Sequence, residues 1–404
     1  MPGMLKLALA EAGPGKSTFW GVGSTGNAGS AAFYNGSLSA ALDFDSLHEL
    51  SGVHADATVI PAAFAIAQQT GASGRDFLAA YVAGAELMFR LGMSTASTTG
   101  WFRTATYGVF GAAAASGLLL GLDRDGLSSA LGIALGQAAG TQQGHIERKL
   151  SKRIQAALST RAGVFSAQLA QHGITGSSHP FDGQFGLYSL YDEGDPSHAF
   201  DDLGEVFRLD RTVLKKFPAC GCAHASIEAA LQLVIAHEFD EAAIEAVDVL
   251  ITPYQNRLVG AAFTTEGDAE VTAQFCVQYA VAATLAKRGF TVAQIEPAAV
   301  LDPALRSLIS RVRVRIDHDS PGRMTPATVT VLLRDGREFG RTVTALPGSV
   351  DLPLTAEQIR AKALASLQHG NGGLSATAAE RLVERVEHID EVADMSRFFE
   401  EILV

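Results

Sequence analysis

Asp43, Asp45, His48, Glu49, His54 and Asp56 fall within residues 43–56, bracketed by the apolar runs LSAAL and TVIPAAFAIA. Solvated loops carry charges, but they rarely sit between core-like flanks. A carboxylate beside an imidazole is a proton-transfer pair. His54 is the candidate acid or base, and Asp43 the acid that orients or charges it. His48-Glu49 suggests a zinc-protease helix, but the next histidine is six residues on, and ligands one turn apart need a spacing of four. A metal site built from Asp43, Asp45, His48 and His54 has no spacing in its favour, and no metal is expected. The plainer alternative is that the acids cap a helix while the histidines bond locally.

Cations gather in two places. Arg148, Lys149, Lys152 and Arg153 stand within six residues, and Lys215-Lys216 opens KKFPACGCAHA. The chain as a whole carries a formal charge of -12. That balance argues against nucleic acid or an anionic membrane as partner. An acidic protein that handles acidic small molecules must concentrate cations locally, and these islands would do so. Arg148 and Lys149 read as a solvated basic face. Lys152 opens a helix, where the dipole disfavours a cation, so it reads as a site residue.

Three cysteines, Cys220, Cys222 and Cys276, are too few for a disulfide framework. Cys220 and Cys222 are two apart, so they form no CxxC pair, and buried free thiols in a reducing cytoplasm are expected. Gly21-Val22-Gly23-Ser24-Thr25-Gly26 matches GxGxxG letter for letter. It lacks the required context, because only Ser17–Trp20 could be the preceding strand and Gly29 interrupts the following helix.

The elements that position these groups follow from patterning. At 404 residues, 47% hydrophobic and 18% charged, the chain has ample core for two or three domains. From Pro61 to Gly140 it is nearly all small apolar helix. Residues 75–92 place Phe77, Leu78, Tyr81, Val82, Leu87 and Met88 at helical spacing. Glu86 and Arg90 form an i,i+4 pair. The longest apolar window, Gly108–Leu122, is too short to span a bilayer, and its Gly108, Gly111, Ala115 and Gly121 would admit close helix neighbours. Alternating strand patterns begin only near residue 245, with Asp335-Gly336 as a hairpin turn. After residue 345 the pattern returns to helix, opened by the capping box Thr355-Ala356-Glu357-Gln358. The fold class is therefore helical plus α+β, with a compact α+β domain over 211–345.

The stretch NG…ALDFD…H…H…VIPA, with KKFPAC…H further on, resembles the MmgE/PrpD family. The resemblance runs from about residue 18 to about 370. It implies a large discontinuous all-helical domain (1–210 plus 346–404) and a smaller, lid-like α+β domain. It also implies a cofactor-independent homodimeric enzyme of the cytoplasm that dehydrates, decarboxylates or epimerises small di- and tricarboxylic acids. Lys152 and Lys215 match substrate-binding lysines, with His224 following in the same motif. Tyr279, in AQFCVQYA, matches a tyrosine that points into the site. The segment GWFRTATYG resembles GWHPTATFG, so Phe102 replaces a histidine, and Arg103 replaces a proline and offers a carboxylate clamp. A second expected histidine is Gln155. Family members carry further helices before the WG turn, so a shortened start or a covering partner subunit is expected here. The leading expectation is a hydro-lyase of the 2-methylcitrate dehydratase type. An epimerase or decarboxylase on the same scaffold, or a degenerate paralogue, are the alternatives.

Overall fold

The computed structural model describes residues 2–95, 100–191, 193–370, 373–400 and 402. The first half is helical: α1 (Pro2–Ala10), α2 (Ala28–Ser39), α3 (Val59–Thr70), α4 (Gly74–Met93), α5 (Arg103–Leu119), α6 (Arg124–Leu135), α7 (Gln143–Ile146) and α8 (Ser151–Gln171). Local chemistry sets the ends. Asn27 caps α2, a Ser73–Asp76 capping box opens α4, and Gly71, at φ 72°, closes α3 in the left-handed region. Small residues let the helices meet. A Cβ on Gly108 would stand 2.8 Å from the Thr58 side chain, and one on Gly111 would stand 2.7 Å from the Gly84 carbonyl. Gly121 differs from its expected role: it turns the chain at φ 73°, and a Cβ there would meet nothing within 4 Å.

Two short strand pairs, absent from the sequence reading, interrupt this half. β1 (Ser17–Phe19) and β2 (Ser24–Gly26) make an antiparallel hairpin, so the GxGxxG run is its turn and second strand. Helix α2 runs straight through Gly29. β3 (Leu47–His48) pairs with β4 (Thr212–Val213), tying the acidic stretch to a segment far along the chain.

After a short helix α9 (Leu187–Leu190) and the long α10 (Gly221–His237), the mixed part begins. Its sheet has the order β6-β5-β7-β8, built from β5 (Ile244–Ile251), β6 (Val312–Ile316), β7 (Ala327–Leu333) and β8 (Glu338–Val343). β5 and β6 are parallel; the other neighbours are antiparallel. In β7 every second residue is buried: Ala327, Val329, Val331 and Leu333 face the core that α10 covers. Between β5 and β6 lie α11 (Pro253–Val259), α12 (Ala269–Gln274), α13 (Val277–Lys287), α14 (Pro297–Val300) and α15 (Pro303–Ile309). α12 and α13 are separate helices, broken at Phe275–Cys276.

The last helices are α16 (Ala356–Gln368) and α17 (Ala376–Glu387). Beyond them the chain returns to the first half. Phe398 meets Phe64 edge-on at 5.1 Å, and Val392 accepts a hydrogen bond from Gly74 N at 2.8 Å. Val392, Met395 and Phe398 share an apolar core with α3, α4 and α5, whereas residues 213–346, joined by Leu47, build a separate one. Among the described residues no helix is long and apolar enough to cross a membrane.

Candidate active site

Three elements deliver the central charges. Asp43 lies just past the end of α2, in the left-handed region at φ 50°. Lys152 is the second residue of α8, and α2 packs directly on α8 because Gly36 leaves room for Thr160 and Ala157. Lys215 follows β4, whose pairing with β3 puts it beside the 43–46 turn. Lys152 and Lys215 converge on one carboxylate. Lys152 Nζ donates to Asp43 Oδ1; Lys215 Nζ donates to Asp43 Oδ2 at 2.9 Å and to the Asp43 carbonyl at 2.8 Å. All three are buried, Lys215 completely. Burial alone would raise the Asp43 pKa, but the two ammonium charges bring it well below the usual carboxylate range. Burial likewise opposes the Lys215 charge, yet Asp43 and Asp45 raise its pKa.

The acid that holds His54 is Asp45, not the expected Asp43. His54 Nδ1 donates to Asp45 Oδ2 at 3.0 Å and to the Ser46 carbonyl at 2.8 Å. Two acceptors on Nδ1 fix the tautomer and leave Nε2 as the atom that can exchange a proton. Asp45 is buried, which would raise its pKa, but His54 and Lys215 together lower it. Lys215 Nζ stands 4.0 Å from Asp45 Oδ1, so the ion cluster and the carboxylate–imidazole pair are contiguous. The His54 side chain is 14% exposed against 8% or less for the charges behind it, so solvent reaches the cluster from the His54 side.

Other expected residues lie elsewhere or act differently. Tyr279 is fully buried between Phe263 and Phe290, and its hydroxyl donates to the Gln294 carbonyl at 2.5 Å; the structure does not bring it to the cluster. It is a core aromatic of α13. His224 is close to Lys215 but buried, bonded to the Ala219 carbonyl at 3.2 Å, with a pKa pushed to about 3 by burial and the Lys215 charge. That leaves a neutral ring and no carboxylate clamp. Arg103 begins α5, half-buried, one residue before Thr104, whose hydroxyl accepts from His54 N at 3.3 Å. His48 bonds Ser51 and the Arg208 carbonyl and stacks on Phe89 at 4.2 Å, so Asp43, Asp45, His48 and His54 do not gather round one point. Among the described residues no group of three His, Cys, Asp or Glu is arranged to hold a metal ion.

The two lost histidines leave different environments. Phe102 faces Lys152, whose ammonium stands 5.7 Å from its ring and 4.7 Å from that of Phe275. Gln155 instead exchanges two hydrogen bonds with the Thr141 backbone. His145, against Phe275 at 4.3 Å, bonds the Leu258 carbonyl; burial and then the nearby Lys152 charge take its pKa to about 4.

One cation escaped the sequence reading and another was misplaced by it. Lys362, on α16, sends its ammonium to the carbonyls of Phe44 and Lys215, each at 2.9 Å, and lies 4.2 Å over the Phe44 ring. Burial, then the Lys215 charge, lowers its pKa to about 8. A lone lysine in an amphipathic helix gave no signal. Arg148, expected on a solvated face, is 7% exposed; Lys149 beside it is exposed.

Models of a single family match both parts of the chain: the MmgE/PrpD N-terminal domain over residues 2–199 and the MmgE/PrpD C-terminal domain over 217–390. The chain belongs to the MmgE/PrpD family. It is 31% identical over 362 residues to the cis-aconitate decarboxylase-like protein oryM of Aspergillus oryzae, across 82% of this chain and 74% of that one. Human cis-aconitate decarboxylase is 25% identical over 382 residues, 91% of this chain and 77% of the human one. The Aspergillus terreus cis-aconitate decarboxylase is 28% identical over 233 residues, 54% of this chain and 47% of that protein.

Proposed function

We infer that this protein is a cofactor-independent lyase acting on a small polycarboxylic acid, and that its step is decarboxylation. The reading rests on one observation: two lysines from distant segments meet at Asp43 beside a single Asp45–His54 pair. Epimerisation needs two opposed bases, and dehydration needs a base together with an acid for the leaving hydroxyl. Here the expected second group, Tyr279, is bonded to Gln294, and the His145 and His224 rings are too weakly basic to carry a proton at neutral pH. Decarboxylation needs one proton delivered, which His54 Nε2 can supply. That is why the hydro-lyase expectation yields to this one.

In the proposed step the C–CO2 bond breaks and its electron pair moves into the rest of the substrate, onto an adjacent double bond where one is present. The developing charge is shared with the Lys152 and Lys215 ammonium groups, and the proton from His54 ends up on carbon. Asp43 holds both ammonium groups in place before substrate arrives. Phe102 and Phe275 keep water from Lys152, which strengthens its pull on a carboxylate. The names of the relatives support the same class, and cis-aconitate is the first substrate to try. The test is to offer cis-aconitate, citrate and related acids and to follow released CO2 and alkene absorbance together. Stoichiometric CO2 is expected; loss of water without CO2 would restore the dehydratase reading.

A further inference from the structure

Three arginines of the first half are buried, and they are not alike. Arg90 pairs with Glu86 at 3.2 Å and with Asp202, and Arg153 with Glu270 at 2.7 Å. Arg148 has no acid partner among the described residues. One terminal nitrogen, Nη2, donates to the carbonyls of Ala261 (3.3 Å) and Ala262 (3.0 Å); the other, Nη1, is buried with no hydrogen-bond partner. A buried guanidinium with neither counter-ion nor full hydrogen bonding is costly. Its φ of 54° is no further cost: Arg148 is the left-handed residue that closes α7, with its N donating to the His145 carbonyl at 3.0 Å and Lys149 N to the Gly144 carbonyl at 2.8 Å.

The place of Arg148 connects it to the ion cluster. It lies four residues before Lys152. It shares the Ala261 carbonyl with Cys276, whose Sγ is 3.6 Å from that oxygen, and Phe275, the preceding residue, carries Lys152 over its ring. Both cations therefore border the break between α12 and α13. His145 packs on Phe275 in the same corner.

We propose that Arg148 binds a second carboxylate of the substrate through Nη1, so that the enzyme selects acids with at least two carboxylates. The proposal rests on the polycarboxylate reading of the Lys152–Lys215 cluster. An anion there supplies both the missing charge and the missing acceptor, and a guanidinium is the side chain best matched to a carboxylate. A monocarboxylate would engage the lysines and leave Arg148 as it is.

The experiment is calorimetric titration of the whole protein with tricarballylate, glutarate and butyrate at constant ionic strength. Wild type should bind the first two more tightly than butyrate. R148M should weaken tricarballylate and glutarate by about tenfold or more, the loss of one charge-assisted pair, and leave butyrate unchanged. Unchanged tricarballylate affinity in R148M overturns the proposal, as does an equal loss for all three acids. If R148M melts before it can be titrated, R148Q is read the same way, since its amide can serve a backbone carbonyl but brings no charge to an anion. Wild type that binds none of the three acids sinks the polycarboxylate reading itself, which separates the two failures.

Discussion

Asp43 and Asp45 are two residues apart and do different work. Asp43 holds two lysines; Asp45 holds an imidazole. His54→Gln should therefore lower turnover by about 10²–10⁴-fold while melting temperature and polycarboxylate affinity stay put, and retained full rate would reject the role. Lys215→Met should be felt first in stability, because it leaves the Asp43 carboxylate buried with a partner missing. Denaturant titration should show a loss of about 3–5 kcal/mol. The neutral histidines add a pH dependence. His48, His145 and His224 have folded pKa values of about 4, 4 and 3, below the ordinary 6.5, so the unfolded chain takes up protons first. Stability should fall as pH drops from about 6.5 towards 4, and a melting temperature flat across that window would contradict the burial of these rings.

At the scale of elements, α16 is tied to the site by Lys362, whose two carbonyl acceptors belong to the residue between the acids and to Lys215. Lys362→Met should loosen that corner, lowering kcat more than it changes KM. The folded pKa of about 8 lies below the ordinary 10.5, so the charged form is disfavoured by folding. Stability should rise between pH 8 and 10.5 in wild type by an increment that Lys362→Met lacks. Much of this scale was legible in the sequence: the Thr355–Gln358 capping box, the helix over 75–92 and the Asp335-Gly336 hairpin are short-range signals. The β3–β4 pair was not, because two residues on each side carry no period, and that pair is what seats Lys215 beside Asp43.

For the whole molecule, the likeness of motifs identified the family and the two lysines, because those residues sit in recognisable local strings. It misassigned what depends on which side chains turn inward. Tyr279 faces a core and not the cluster, His54 bonds Asp45 and not Asp43, and the basic run at 148–149, read from its charge pattern, splits into a buried Arg148 and an exposed Lys149. We propose that the helical domain is closed by the returning chain end, and Phe398→Ala should accordingly cost about 3–5 kcal/mol in stability by emptying the space beside Phe64. The central claim is that the lysine cluster and His54 together replace a CO2 group by a proton. The direct measurement is turnover of cis-aconitate in D2O, read by NMR. The account predicts one deuterium on carbon in the product for each CO2 released, and both reduced by about 10²–10⁴-fold with His54→Gln. Deuterium exchange into substrate without CO2, or CO2 release that survives His54→Gln at full rate, would contradict it.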